Sequence, residues 1–131
     1  MNNKREATIN VKLKTLFFKW LELLKPWHKL NNQQQKVLAL LLYYHFKYKK
    51  EITNNKILWK IVFDYETRLK LIDDPIFEGK LNMQALNNIL TILRKQNIVI
   101  NNQISSIFIP ELELNSKNFD LIFHFKITDN E

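Results

Sequence analysis

The sequence predicts an α+β fold that is mainly helical and carries a small antiparallel sheet. Three observations lead to this fold class. Gln33–Lys50 is apolar on nearly every side, which is typical of a helix that neighbours bury on several faces. Met83–Gln96 repeats its apolar residues at the i, i+3, i+4, i+7 spacing of an amphipathic helix. Phe119–Ile127 alternates apolar and polar residues, which indicates a half-buried strand.

The amino-terminal part is predicted to pass from a polar arm through a strand into a helix. Residues 1–7 form the arm, and Thr8–Leu13 alternates apolar and polar residues as a strand does. Thr15–Lys25 has a wide apolar face and is predicted to be a helix, which Pro26 stops or bends away. Trp27–Asn32 then links to the central helix.

The central helix Gln33–Lys50 has a signal at each end. Asn32 is placed to cap the first turn, and Gln35 stands at the N3 position of a capping box. Three lysines close the other end, where cations interact favourably with the helix dipole. These signals support one continuous helix across the whole segment.

Two shorter helices follow. Thr53 is placed to cap a helix over Asn54–Phe63. Asp64 is placed to cap a second helix over Tyr65–Asp73, which Pro75 ends.

The remaining elements predict a winged-helix-like domain. A loop leads to Asn82–Gln96, which on this interpretation is the recognition helix, and Ile98–Ile109 is a hairpin that forms the wing. Thr8–Leu13 and Phe119–Ile127 could pair and extend the small sheet. The chain of 131 residues is short enough to be one domain over residues 1–131.

Composition limits the classes of function. The chain has no cysteine, so it has neither disulfides nor thiolate metal ligands. No apolar run reaches the roughly 18 residues of a membrane span, and the first residues do not have the pattern of a secretory signal. Three scattered histidines, no nucleophile-elbow serine and a single glycine argue against an enzyme. We therefore expect no catalytic site, cofactor, metal or small-molecule substrate.

The positive charge is unevenly distributed. The net charge is +7, but residues 1–50 carry eleven basic and two acidic residues, whereas residues 51–131 carry nine basic and eleven acidic residues. A basic region can bind nucleic acid or an acidic protein, or it can be an ordinary solvated surface. From charge alone, the solvated surface ranks first.

The polar face of the recognition helix is chemically suited to reading DNA. Asn and Gln amides can contact adenine through two hydrogen bonds, and Lys and Arg neutralise phosphates. The candidate DNA-binding residues are Gln84, Asn87, Asn88, Thr91, Arg94 and Lys95. Only the last two are basic, and the predicted wing has no charge, so the usual phosphate-binding surface is missing from the sequence pattern.

A protein interface is predicted on the first helix. Phe18 falls among charged residues on its polar face, and an aromatic side chain with a polar rim is typical of an interface anchor. The candidate interface residues are Lys14, Phe18, Glu22 and Lys25.

Three segments, Lys36–Tyr44, Ile57–Asp64 and Ile109–Phe125, are similar to small proteins of crAss-like Bacteroides phages, and the resemblance covers nearly the whole chain. It implies a phage protein with a winged-helix-like fold, and some small proteins of these phages belong to the virion near the portal or capsid. The leading hypothesis is a non-enzymatic accessory structural protein at the portal vertex or capsid. It would be made in the host cytoplasm and would bind other virion proteins in several copies. The alternatives are a winged-helix transcription regulator that binds DNA and a host-directed binding protein.

Overall fold

A computed structural model describes residues 12–111, which form six α-helices and a two-stranded antiparallel sheet. The helices are α1 (Leu13–Leu23), α2 (Lys25–His28), α3 (Asn32–Lys49), α4 (Asn55–Val62), α5 (Tyr65–Ile72) and α6 (Met83–Lys95). The strands are β1 (Val99–Ile100) and β2 (Gln103–Ile104), and 3-10 turns span Pro75–Phe77 and Ser106–Phe108. The mainly helical α+β prediction is confirmed at this level.

Two predicted strands fall largely outside this range. The polar arm of residues 1–7 and the closing strand Phe119–Ile127 lie outside the described residues, as does most of Thr8–Leu13. The last residue of that predicted strand, Leu13, is the first residue of α1. The sheet seen in residues 12–111 is therefore the hairpin alone.

Helix α3 is the centre of the core, as the continuous apolar run predicts. Val37–Leu42 are each between 0% and 3% exposed, because α1, α4, α5 and α6 all pack against this helix. Its capping box lies one residue earlier than predicted. The Asn31 side chain accepts from the Gln34 backbone N–H at 2.9 Å, and the Gln34 side chain accepts from the Asn31 backbone N–H at 3.0 Å. The neighbouring Gln35 is buried instead.

A buried histidine joins the end of α1 to the segment that leads into α3. His28 Nε2 donates to the Leu21 carbonyl at 2.7 Å, and His28 Nδ1 accepts from the Leu30 backbone N–H at 2.9 Å. Both bonds form together only in the neutral tautomer that carries its proton on Nε2. Burial lowers the pKa of His28, which favours this neutral form. Pro26 lies in the first turn of α2, so the chain leaves α1 through a second short helix rather than through a plain linker.

The remaining caps follow the sequence closely. Asp64 caps α5 through the Thr67 N–H at 2.8 Å, and Asn82 caps α6 through the Ala85 N–H at 2.8 Å, both as predicted. The cap of α4 is Asn54, not Thr53, and it accepts from the Ile57 N–H at 3.0 Å. Both residue types are good caps, so the pattern alone does not fix this boundary.

The hairpin that was predicted to form a wing is shorter than expected. Val99 pairs with Ile104 around a turn at Asn101–Asn102, where both residues have positive φ, the conformation of a tight hairpin turn. The second half of the predicted hairpin Ile98–Ile109 is not a strand beyond Ile104, because the chain turns there and buries Phe108. The Phe108 ring lies 6.4 Å from the ring of His28, and its carbonyl accepts from Trp20 Nε1 at 2.8 Å.

Shortening one buried side chain of the central helix gives the first test of this fold. Leu41→Ala removes a fully buried side chain, and we expect it to lower the free energy of unfolding by about 2–5 kcal/mol. Leu23→Ala removes the same atoms from a half-exposed position and should cost less than about 0.5 kcal/mol. Urea unfolding followed by circular dichroism measures both values. Equal losses for the two variants would contradict the central position of α3.

Acid sensitivity gives the second test. His45 in α3 stacks on Trp59 with ring centroids 4.1 Å apart, and burial, with Lys49 nearby, lowers its pKa from 6.5 to about 4. The unfolded chain therefore binds a proton that the folded chain excludes between these pH values. Stability should fall as pH falls from about 6.5 towards 4, by up to about 3 kcal/mol from this residue.

His45→Phe keeps a stacked ring but removes the titrating group. We expect its free energy of unfolding, measured in urea at pH 7 and at pH 5, to differ less between the two pH values than that of the wild type. Part of the dependence should remain, because the pKa of His28 is also lowered. An unchanged pH dependence would contradict the assignment to His45.

Candidate nucleic-acid interface

Helix α6 is amphipathic, and its buried side fixes the direction of its polar side. The buried residues pack against the core at the predicted spacing; they are Leu86, Ile89, Leu90 and Leu93. All six candidate DNA-binding residues are exposed, so a ligand can reach this side of the helix.

The six residues divide into two neighbouring groups. Asn87, Thr91 and Arg94 line a cleft of about 720 Å³ between α4, α5, α6 and the hairpin turn, which we call the α4–α6 cleft. The other three, Gln84, Asn88 and Lys95, do not line it and lie on the adjoining outer stripe of α6.

The α4–α6 cleft collects cations from three helices. Lys56 and Lys60 come from α4, Arg68 comes from α5 and Arg94 comes from α6. Among the described residues that line the cleft, Asp64 is the only acid, and one of its carboxylate oxygens already accepts from the Thr67 N–H. The cleft is therefore electropositive.

Three of these cations are available to a ligand. Within residues 12–111, Lys56, Lys60 and Arg94 form no ion pair or side-chain hydrogen bond. Arg68 differs from them, because its Nη1 donates to Asn87 Oδ1 at 3.0 Å and its guanidinium lies 5.8 Å from the centre of the Tyr65 ring. An external anion in the cleft would meet three unpaired cations beside one that is held in place.

The hairpin closes one end of the cleft with amides rather than charges. Asn101, Asn102 and Gln103 line the cleft and are exposed. Trp59 and Phe63 of α4 line it too, and Trp59 is almost fully buried, so it supports the wall and offers a ligand little surface. The hairpin therefore offers a ligand hydrogen-bonding groups but no charge.

The sequence pattern missed the contribution of α4 and α5. From the sequence pattern, the only basic residues assigned to DNA binding were Arg94, Lys95 and those of the amino-terminal part. Lys56 and Lys60 are four residues apart, which places them on one side of a helix and is the signal that could have identified them. Their relation to α6 depends on how the two helices pack, which no local pattern contains.

The structure separates the four candidate protein-interface residues into two pairs. Phe18 is half-buried: it packs against the core and lines the groove between α1 and α3. Lys14 lines the same groove of about 490 Å³ and donates to Asp74 at 2.9 Å, which raises the pKa of Lys14. Glu22 and Lys25 lie outside this groove and are exposed.

A different apolar pair is exposed near this region. Leu23 and Trp27 are four residues apart at the junction of α1 and α2, and they are 48% and 62% exposed. The sequence pattern placed Trp27 in a linker and gave it no role.

Two further features, a metal-binding cluster and a helix able to span a membrane, are absent from residues 12–111. This part of the chain contains no group of three His, Asp or Glu side chains arranged to hold a metal ion. None of its helices combines the length and the apolarity needed to cross a membrane.

Comparison of the chain with protein-family models, with curated proteins and with solved structures finds no match.

Proposed function

We propose that this protein is a winged-helix-like DNA-binding protein that contacts duplex DNA through α6 and the adjoining α4–α6 cleft. The observation that carries the proposal is the convergence of Lys56, Lys60 and Arg94, all unpaired, beside the row of exposed amides on α6. Affinity for DNA comes largely from cations that neutralise phosphates, and sequence preference comes from groups that reach base edges. This chain has both sets on adjoining surfaces.

The arrangement suits a helix in the major groove. The major groove is about 12 Å wide and admits one α-helix, and the amino-terminal half of a recognition helix usually touches the bases. That half of α6 carries three exposed amides, Gln84, Asn87 and Asn88. With α6 in the groove, the lysines of α4 lie beside it, where a phosphate backbone borders the groove.

This proposal favours the DNA-binding alternative over the virion hypothesis. The reason is that Phe18, the central residue of the predicted protein interface, is half-buried, whereas the amides of α6 are exposed. The form of DNA binding that we propose is that of a transcription regulator, the alternative stated in the sequence analysis.

A second candidate function is the accessory structural role in a phage virion, at the portal vertex or capsid. The observation that favours it is the exposed pair Leu23 and Trp27, because Trp is enriched among the residues that dominate protein interfaces. Under this candidate the partners are other virion proteins, and the basic exposed residue Lys25 belongs to the rim of the contact.

The salt dependence of binding tests the DNA-binding proposal. The probe is a fluorescent 30-base-pair duplex of random sequence, titrated by anisotropy between 50 and 200 mM salt. Each phosphate contact contributes about 0.9 to the slope of log affinity against log salt. Lys56→Ala combined with Lys60→Ala should therefore reduce that slope by about 2 and weaken binding to all sequences alike.

The matched control is Lys25→Ala combined with Lys29→Ala, which removes the same charge, at the same four-residue spacing, from exposed positions at the start and the C-cap of α2. Its slope should stay close to that of the wild type. Equal slopes for the two double variants would contradict the α4–α6 cleft as the phosphate-binding site. Failure of the wild type to bind any duplex at 50 mM salt would remove the DNA-binding proposal.

Particle incorporation tests the second candidate. Mass spectrometry of purified particles, from a phage whose genome encodes the chain, should detect it in stoichiometric amount. Trp27→Ser should fold normally but be lost from particles, whereas Tyr65→Ser, which changes another exposed aromatic residue, should be retained. Absence of the wild-type chain from particles would remove this candidate.

A further inference from the structure

We propose that Gln84 and Asn88 select the bases, that each favours adenine, and that Asn87 is a positioning residue that does not read bases. This inference rests on the proposed DNA-binding function and divides its three amides into two roles. The division follows from hydrogen bonds within the chain, because an amide that is already bonded cannot make the same contact with a base.

Asn87 is engaged on its acceptor side. Its Oδ1 accepts from Arg68 Nη1 at 3.0 Å, and its backbone carbonyl accepts from Thr91 Oγ1 at 3.0 Å. Arg68 is itself held, because its Nε donates to the Asp64 carbonyl at 3.4 Å and its guanidinium lies over the ring of Tyr65.

An adenine contact of the two-bond type uses both the oxygen and the nitrogen of an amide. Asn87 would have to share or give up its bond to Arg68 to make that contact. The Arg68–Asn87 bond instead joins α5 to α6 and adds to the apolar contacts that orient α6. Asn87 therefore holds neighbouring side chains in position and does not recognise a base.

Gln84 and Asn88 are free on both sides of their amides. Each is exposed, and neither forms a side-chain hydrogen bond within residues 12–111. They are four residues apart on the same stripe of α6, so their side chains project in the same direction. Four residues of helix rise about 6 Å, and base pairs stack about every 3.4 Å, so the two amides reach bases one or two steps apart. The expected target is duplex DNA with two adenines at that separation.

Selection from a randomised duplex pool tests this division, using the full chain and its Gln84→Ala, Asn88→Ala and Asn87→Ala variants. The wild type should enrich sites with adenine at two positions. Gln84→Ala should lose the preference at one position and Asn88→Ala at the other, each by roughly 5- to 150-fold, the discrimination that one two-bond contact provides. Asn87→Ala should keep both preferences and change affinity equally for all sequences. Thermal unfolding by circular dichroism verifies that each variant is folded.

Two results would overturn the inference while leaving the proposed function in place. One is loss of base preference in Asn87→Ala with preference retained in Gln84→Ala and Asn88→Ala. The other is wild-type binding to duplex DNA with no base preference at all. Absence of duplex binding by the wild type at 50 mM salt is a different outcome, because it removes the proposed function and this inference together.

Discussion

The burial of α3 on every side is the constraint on which the rest of the described structure depends. A helix without a polar face must be covered by several neighbours, and here α1, α4, α5 and α6 each direct an apolar side towards it. Helices that share one central partner are brought close to each other. The polar sides of α4 and α6 consequently converge, and the α4–α6 cleft lies where they meet.

Two buried histidines support this arrangement in their neutral forms. His28 joins the end of α1 to the chain that enters α3 through two hydrogen bonds. His45 of α3 stacks on Trp59 of α4, and the tryptophan lines the α4–α6 cleft. A proton on either ring would place a charge among apolar neighbours, which is costly without a partner. The wall of the candidate site is thus joined to the core by an aromatic contact with a histidine whose pKa burial lowers.

The sequence predicted those features that depend on local patterns. The caps at Asp64 and Asn82, the buried centre of α3 and the outward amides of α6 all follow from spacing and residue type. The caps of α3 and α4 were misplaced by one residue, because two adjacent residues can cap each of these helices. The prediction was also wrong for the chain after Ile104. Its apolar pattern fits a strand, but the burial of Phe108 against α1 and α2 overrides that pattern.

The candidate site was harder to predict, because charge along a chain differs from charge in space. Residues 51–131 have more acidic than basic residues, which argued against phosphate binding by this part. Several of its acids are engaged within the structure: Asp64 caps α5, Asp74 pairs with Lys14 and Glu78 pairs with Lys80.

Lys56, Lys60 and Arg94 have no such partner in residues 12–111, and folding brings them to one cleft. A ligand responds to the potential of the surface that it touches, and that potential falls off within about 10 Å at moderate salt. The net charge of a segment therefore gives little information about the field in a cleft whose walls come from three helices. What decides the field is which charges the fold pairs internally and which it leaves for a partner.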